Sequence, residues 1–284
     1  MLLVRYVYYP CAIVLACLVI AYSQQAAHLM QLASQAHSLQ GATELALKSL
    51  LETWSFSLYS GAEDMRGEYG EIVARANFQQ RRAALASWAL AGLTGAQLVL
   101  ISFRNRPRLS AVAWHTTLIS TIAFGVGIVA PMLTVLAFSD VPILGTVVLK
   151  YDTKSIASTI GHLLGSGNFF LALLIGLFSI ILPVVKVTLM LVALAPAMKR
   201  LRDLSLALIL MIGKWSMADV YVVGVLVAFL AFTTDELSDA RIGIGLYYFA
   251  TYCILSLTAA HIVTRMAPKA PGSSGFPPDP AIRE

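Results

Sequence analysis

The chain has 284 residues, of which 58% are hydrophobic and only 12% are charged, and its mean hydropathy is +0.77. Soluble domains usually carry ~25% charged residues, so the composition excludes an ordinary soluble protein and makes lipid the expected solvent. The net charge of +5 is spread over short clusters between apolar runs. This pattern is typical of membrane topology signals, and no nucleic-acid partner is expected.

The cysteines and the catalytic motifs narrow the function further. Cys11, Cys17 and Cys253 all fall within apolar runs and form no CxxC pair, so neither a disulfide framework nor a zinc ribbon is expected. No GxxxxGK[ST], HExxH or GxSxG pattern occurs. The sequence therefore predicts no metal, no cofactor and no enzymatic activity.

Several apolar runs are long enough to cross a membrane, which takes roughly 20 helical residues. They lie at residues 3–22, 85–103, 112–138, 169–196, 204–231 and 244–265. We predict an all-α polytopic membrane protein with about six transmembrane helices, a small extracytoplasmic β element and an external helical hairpin.

Short basic segments predict the orientation of these helices. Residues 104–108 and 199–202 join successive runs and are rich in Arg and Lys, whereas the turn before the last run carries Asp235, Glu236 and Asp239. By the positive-inside rule the two basic segments are cytoplasmic. The protein is then expected in a bacterial inner membrane, with both termini on the cytoplasmic side.

The N-terminal part is predicted to hold two spans and an external segment. Residues 1–22 form a transmembrane signal anchor, although Ala21-Tyr22-Ser23 resembles a cleavage site and leaves a removable signal peptide as the alternative. Residues 23–84 are polar with apolar residues at helical spacing, which predicts the external hairpin, with a break between Gly61 and Gly70. Residues 85–111 supply the second span and a cytoplasmic turn.

The middle of the chain predicts the β element. The third span is expected to end near Pro131 and Phe138, and residues 141–149 are rich in β-branched residues, which favours one or two external strands. Asp152 and Thr153 are predicted to cap a short helix that Gly165 and Gly167 close. The Pro-rich tail, residues 267–284, is expected to be disordered.

Polar residues interrupt the fourth span. Pro183 has no N–H and crowds the carbonyl group of Ser179, which predicts a kink with a polar spot. Ser179 and Lys186 are seven residues apart and therefore share one helix face. A lysine that reaches the interface through its long stem is the alternative reading of Lys186.

The last two spans add further polar groups. Ser216 and Asp219 share a face of the fifth span, and a carboxylate at such depth costs on the order of 3 kcal/mol to insert. Because a short turn joins the fourth and fifth spans, we predict that Lys186 and Asp219 form a pair. Lys214 and Trp215 are read as interfacial or packing residues. Ser256 in the sixth span is a candidate lining residue.

One motif carries a family resemblance. The string Gly-Lys-Trp-Ser-Met-Ala-Asp-Val-Tyr at residues 213–221 resembles the signature of the paraquat-inducible protein A family, a basic residue followed by Trp-Ser-Met-x-Asp-Val-Phe. Lys214, Trp215 and Met217 occupy motif positions. Pro131, the Asp152-Thr153 pair and the Ser179, Pro183 and Lys186 set occur in the family's order. The resemblance covers residues 112–266, one four-helix module.

The resemblance implies a function in lipid transport. Members of the paraquat-inducible protein A family are membrane partners of mammalian-cell-entry (MCE) domain proteins, which form lipid tunnels across the periplasm. It further implies that the working site consists of the matching polar residues, Ser179, Lys186, Ser216, Asp219 and Ser256. Better-known members have two modules and cysteine-rich zinc ribbons, whereas this chain has one module, no ribbon and two additional leading helices.

The leading hypothesis is therefore an inner-membrane component of a phospholipid transport system that works with a periplasmic MCE-domain protein. Membrane lipids and that protein are the expected partners, and the Lys186–Asp219 centre is a candidate for proton coupling. The alternative is a non-transporting scaffold or assembly factor for a periplasmic complex. In that case the pair would only fix the packing of the helices.

Overall fold

The computed structural model describes residues 2–36, 61–102, 109–141, 145–195, 204–209, 211 and 238–266. Within these ranges most residues are helical. In chain order the elements are α1 (Leu2–Ala36), α2 (Gly61–Ser102), α3 (Leu109–Val129), β1 (Leu133–Val141), β2 (Gly145–Lys154), α4 (Ile156–Gly165), α5 (Phe169–Leu194), β3 (Ser238–Ile242) and α6 (Ile244–Arg265). Residues 204–209 are also helical.

Five of the described helices are long and apolar enough to cross a membrane. These segments are Val7–Ser34, Gly70–Ile101, Leu109–Val129, Phe169–Leu194 and Ile244–Arg265. Large apolar side chains on them are exposed, including Trp88 at 77% and Phe170 at 75%, as expected where the surrounding solvent is lipid. The predicted polytopic membrane fold is confirmed. Most of the predicted fifth span, 204–231, lies outside the described residues.

Helices α1 and α2 pack against each other along a seam of mostly small side chains. On α2 the buried residues recur every seven positions, and on α1 they alternate by four and three positions from Ala12 to Ala26, with Ala33 seven positions later. They are Ala12, Ala16, Val19, Ser23, Ala26 and Ala33 on α1 and Ala76, Ala83, Leu90 and Gln97 on α2. This heptad spacing is that of a coiled coil, and the alanines let the two backbones approach closely.

The helix pair differs from the prediction for the external segment, residues 23–84. Helix α1 continues without interruption to Ala36, and α2 runs from Gly61 through the start of the second span to Ser102. The predicted break between Gly61 and Gly70 is therefore wrong. A helical glycine costs only about 1 kcal/mol relative to alanine, and the regular seam continues beyond Gly70.

Helices α3, α5 and α6 form the second half of the membrane region. Helices α3 and α6 lie side by side over most of their length, and α5 packs against both. An added Cβ at Gly127 of α3 would lie 2.9 Å from the backbone nitrogen of Phe249 on α6. Only a glycine permits this approach.

A three-stranded antiparallel sheet of order β2-β1-β3 lies at the end of α3. Leu133 of β1 pairs with Lys154 of β2 on one side and with Ile242 of β3 on the other. The one or two predicted strands are therefore three. Burial raises the pKa of Tyr151 on β2, while its hydrogen bond with Thr134 and the charge of Arg241 act in the opposite direction.

Backbone hydrogen bonds join the sheet to the membrane helices. The N–H groups of Gly243 and Gly245 donate to the carbonyl oxygens of Met132 and Pro131, both at 2.8 Å. A Cβ on Gly243 would lie 2.8 Å from the carbonyl carbon of Pro131, so this contact requires glycine. The end of α3 and the start of α6 are thereby fixed to each other.

Two predicted boundaries near the sheet are wrong. Helix α3 ends at Val129, close to the expected Pro131, so only its extension to Phe138, which lies in β1, is wrong. Helix α4 is capped by Ser155, which exchanges hydrogen bonds with Ser158, because Asp152 and Thr153 are still within β2. The predicted closure of α4 near Gly165 is confirmed.

Candidate functional site

The fourth predicted span contains a π-helical turn that ends two residues before Pro183. Helix α5 consists of an α-helical segment Phe169–Gly176, a π-helical turn Leu177–Ile181 and a second α-helical segment Leu182–Leu194. Within the turn, the Leu182 N–H donates to the Leu177 carbonyl group five residues earlier. Such turns are frequent at functional sites, and this one contains Ser179, as the sequence predicts for the polar spot.

Lys186 lies one turn after Pro183 and is 3% exposed. Its neighbours along the same face of α5, Pro183, Val187 and Met190, are buried as well, so the lysine is directed into the helix bundle. A lysine that only reached the interface would remain exposed to the surroundings. Burial within a candidate span is the costly arrangement for a cation, and side chains of this kind mark substrate or ion pathways.

Two apolar clusters bracket this region. The cluster on the sheet side contains Ala123, Phe124, Met132, Val187, Leu246, Phe249, Tyr252 and Cys253. The cluster on the opposite side contains Ala113, Met190, Ala193, Leu206, Ile209, Ala259 and Val263. Each of α3, α5 and α6 contributes residues to both clusters.

Buried polar side chains lie between or beside these clusters on all three helices, and we call them the polar layer. Its members are Thr116, Thr117 and Ser120 on α3, Lys186 on α5 and Ser256 on α6. On α6, Ser256 separates Cys253 of the sheet-side cluster from Ala259 of the other one. On α3, the three hydroxyl residues separate Ala113 from Ala123 in the same way.

The hydroxyl groups of the layer differ in their hydrogen bonds. Thr116, Thr117 and Ser120 donate to carbonyl groups of α3 itself at 2.8–2.9 Å, which leaves only their oxygen lone pairs available. The Ser256 hydroxyl is fully buried and has no hydrogen-bond partner among the described residues. Its O–H is therefore a hydrogen-bond donor that is not used within the described residues. A polar group that enters the layer can accept a hydrogen bond from it.

The predicted site is described only in part. Ser179, Pro183, Lys186 and Ser256 lie where the sequence places them, on α5 and α6, and the last three are buried. The remaining motif residues, Lys214, Trp215, Ser216, Met217 and Asp219, lie outside the described residues. The Lys186–Asp219 pair thus stays a prediction.

Sequence reasoning missed the contribution of α3. Thr116, Thr117 and Ser120 follow one another within a span, and this cluster of hydroxyls was the signal that could have revealed them. It also missed His115, which is buried and hydrogen-bonded through Nδ1 to the Tyr9 hydroxyl of α1. That bond links the N-terminal helix pair to the bundle.

The described part of the layer can hold a charge inside the membrane but offers no metal site. Among the described residues, no three His, Cys, Asp or Glu side chains converge. Chemically, an ammonium group and a hydroxyl with an unused donor can bind an anionic or strongly polar group, or take part in proton exchange with a carboxylate.

Comparison with known proteins identifies the part of the chain that contains this site. Residues 127–267 match the family described as Paraquat-inducible protein A. No curated protein and no solved structure matches the chain. The matched region begins within α3, ends just after α6 and includes Lys186 and Ser256, whereas α1 and α2 precede it. Residues 127–267 are therefore a module of the paraquat-inducible protein A family, as the motif at residues 213–221 predicts.

Proposed function

We propose that this protein is the inner-membrane component of a phospholipid transport system and works with a periplasmic MCE-domain protein. The observation that carries the proposal is the burial of Lys186 close to a π-helical turn within a candidate membrane span. A fold that needed only stability would have little reason to retain a charge there, since an apolar side chain of similar size is often neutral or stabilising at such a position.

In this proposal the polar layer is the transport centre. Lys186 and Asp219 form a charged pair between α5 and the following span, and Ser256 contributes its unused hydroxyl donor. Uptake of a proton by the Asp219 carboxylate would remove its negative charge, raise the net charge of the layer by one and thereby increase its affinity for an anionic lipid head group. No chemical step on the lipid is involved, and the protein is not an enzyme.

The orientation follows from charge. The basic segments 104–108 and 199–202 are cytoplasmic by the positive-inside rule, as are both termini. The sheet and the ends of α1 and α2 that extend beyond the membrane then lie in the periplasm. They form the surface that docks the MCE-domain partner.

The test is purification from the native membrane of wild type, Lys186→Ala and Asp219→Asn, followed by mass spectrometry of the bound proteins and lipids. We expect an MCE-domain protein in all three samples, with phospholipid enriched in the wild type only. Thr188→Val is the matched control, because Thr188 lies on the exposed face of α5 and its hydroxyl bonds the Val184 carbonyl group. Normal envelope lipids in Lys186→Ala at wild-type abundance would contradict transport.

The N-terminal helix pair favours a second candidate, a scaffold for a periplasmic complex. Helix α1 has 35 residues and α2 has 42, which correspond to ~52 and ~63 Å at 1.5 Å per residue, against ~30 Å of hydrocarbon. Both helices therefore extend well beyond the membrane. Such a projection suits a docking element.

A shortened pair distinguishes the two functions. Deletion of residues 27–33 and 70–76 removes one heptad from each helix, shortens the projection by ~10 Å and keeps the seam in register. A scaffold would lose its partner through this deletion and would tolerate Asp219→Asn. The opposite result supports transport through the polar layer.

A further inference from the structure

An apolar groove lies between α2, α3 and α6, away from the polar layer. Its volume is about 710 Å³, within the ~300–1,000 Å³ that is usual for ligand sites. The wall formed by α2 consists largely of small residues at helical spacing, including Ala84, Ala91 and Gly95. All three walls are candidate membrane spans.

The groove accepts hydrocarbon and little else. The hydroxyl groups that line it, those of Ser87, Thr94 and Thr251, donate to carbonyl groups of their own helices at 2.8–2.9 Å. These donors are therefore occupied by the backbone. The other polar lining groups belong to Trp88, Tyr247 and Tyr248, at the end nearer the sheet. Aromatic residues of this type mark the level of lipid head groups.

The groove is long enough to cover the acyl chain of one lipid leaflet. Its wall on α2 runs from Ala84 to Leu98, about 21 Å for 14 residues at 1.5 Å each. Half of the hydrocarbon layer is ~15 Å thick. An acyl chain that enters at the aromatic end would thus be covered along its whole length.

A positively charged side chain, Arg81, lies just beyond the aromatic end of the groove. Arg81 lies three residues before Ala84 and seven before Trp88, which places it on the same face of α2, and its side chain is exposed. The neighbouring Arg82 is turned toward the other helix, since its guanidinium group lies over the rings of Phe78 and Tyr22. Arg81 makes no salt bridge with another described residue. Its charge complements a phosphate group at head-group level.

We propose that this groove is a binding site for one phospholipid, with an acyl chain between α2, α3 and α6 and the phosphate at Arg81. The α2 wall precedes the family's matched region, residues 127–267, so this site is an addition to the module. It goes beyond the proposed transport centre and does not depend on it. Binding can be measured on the purified protein without a partner.

Photo-crosslinking tests the site directly. The protein is placed in nanodiscs of phosphatidylethanolamine and phosphatidylglycerol that contain a phospholipid with a diazirine in its acyl chain, and the adducts are mapped by mass spectrometry. We expect adducts on 84–98 and 244–255 to exceed those on the exposed face of α5 about fivefold, because the α5 face meets only bulk lipid. Equal labelling of both regions would overturn the proposal.

Two glycines of α2 provide a matched pair of variants. A Cβ on Gly95 or on Gly92 would meet no atom within 4 Å, but only Gly95 lines the groove. Gly95→Phe is expected to lower the groove adducts about fivefold, whereas Gly92→Phe leaves them unchanged. Thr251→Phe fills the groove from α6 and replaces Gly95→Phe if that variant does not fold. Full labelling in a folded, filled variant would overturn the site.

The head-group contact is tested by comparing two probes. Arg81→Gln is expected to reduce labelling by the phospholipid about threefold and to leave labelling by a diazirine diacylglycerol, which has no phosphate, unchanged. Arg75→Gln is the control, since Arg75 pairs with Glu71 on an exposed surface. Equal labelling of Arg81→Gln and wild type by the phospholipid would remove the phosphate contact from the proposal.

Discussion

The helix pair α1–α2 and the bundle α3–α5–α6 cross the same membrane by different means. The pair buries mainly alanines at heptad spacing in two continuous helices, with Ser23, Ser34 and Gln97 as buried polar exceptions. The bundle buries Lys186, Ser256 and three hydroxyl residues of α3, and one of its helices is interrupted by a π turn. Close packing explains most of the first region, in which the Tyr8 hydroxyl and the Gln79 Oε1 atom also have no partner among the described residues, but it does not explain the buried cation of the second.

The difference separates stability from function. Between helices in lipid, close contact of small residues is a main source of association, since the hydrophobic effect no longer drives it. Every buried polar group without a partner costs free energy instead. Features that lower stability and are still present in the bundle are therefore the best candidates for the activity. Substitutions in both regions can break or sharpen this view.

The largest expected effect is at the closest helix contact of the bundle. Gly127→Val places side-chain atoms against the Phe249 backbone, where even a Cβ would lie 2.9 Å away, and is expected to lower the free energy of unfolding by about 3 kcal/mol. Thermal denaturation in detergent micelles measures it. Gly125→Val on the same helix is the control, because a Cβ there meets no atom within 4 Å. Equal stability of the two variants would show that α3 and α6 can separate freely.

The corresponding change in the helix pair is Ala83→Leu. Ala83 is fully buried in the seam, so a larger side chain would force α1 and α2 apart and cost about 2 kcal/mol. Ala89 is exposed on the same helix and does not line the groove, so Ala89→Leu is expected to be neutral. The free energy of unfolding of both variants is compared in detergent. If Ala83→Leu is as stable as Ala89→Leu, the seam does not hold the pair together.

The sequence predicts the membrane spans and the interruption of α5, but it does not predict the α1–α2 seam or strand β3. Apolar runs locate the spans because length and composition alone define them, and Pro183 predicts the interruption of α5 because its chemistry is local. The seam was missed because alanine is nearly neutral in hydropathy and its seven-residue spacing also occurs in a solvated helix. Strand β3 was missed because it pairs with β1, a hundred residues earlier in the chain.

The polar layer and the groove show the same limit. Ser179, Lys186 and Ser256 stand out in the sequence because polar residues are unusual in apolar runs. Thr116, Thr117 and Ser120 attract less notice, since hydroxyl groups commonly bond their own helix. The groove depends on which faces of three separate helices meet, and its small lining residues carry no chemical signal. Tertiary packing decides such features.

A smaller effect, of opposite sign, is expected at the interruption of α5. Pro183→Ala restores the missing N–H and removes the clash with the preceding turn, so the helix should gain about 1 kcal/mol of stability, less than the ~3 kcal/mol of a soluble helix because the π turn already relieves the strain. Phospholipid enrichment on purification is expected to fall. A stabilised variant with full enrichment would mean that the turn serves packing only.

The smallest effect is expected at Ser256. Its buried hydroxyl has no partner among the described residues, so Ser256→Ala removes an unsatisfied polar group and should change stability by no more than about 1 kcal/mol, in the stabilising direction. Thr258→Ala is the matched control on α6, because that hydroxyl is exposed and bonds the Ile254 carbonyl group. Phospholipid enrichment should fall in Ser256→Ala alone. If Ser256→Ala instead destabilises the protein and leaves enrichment unchanged, the hydroxyl is a packing element, and the contrast between the two regions would be weaker.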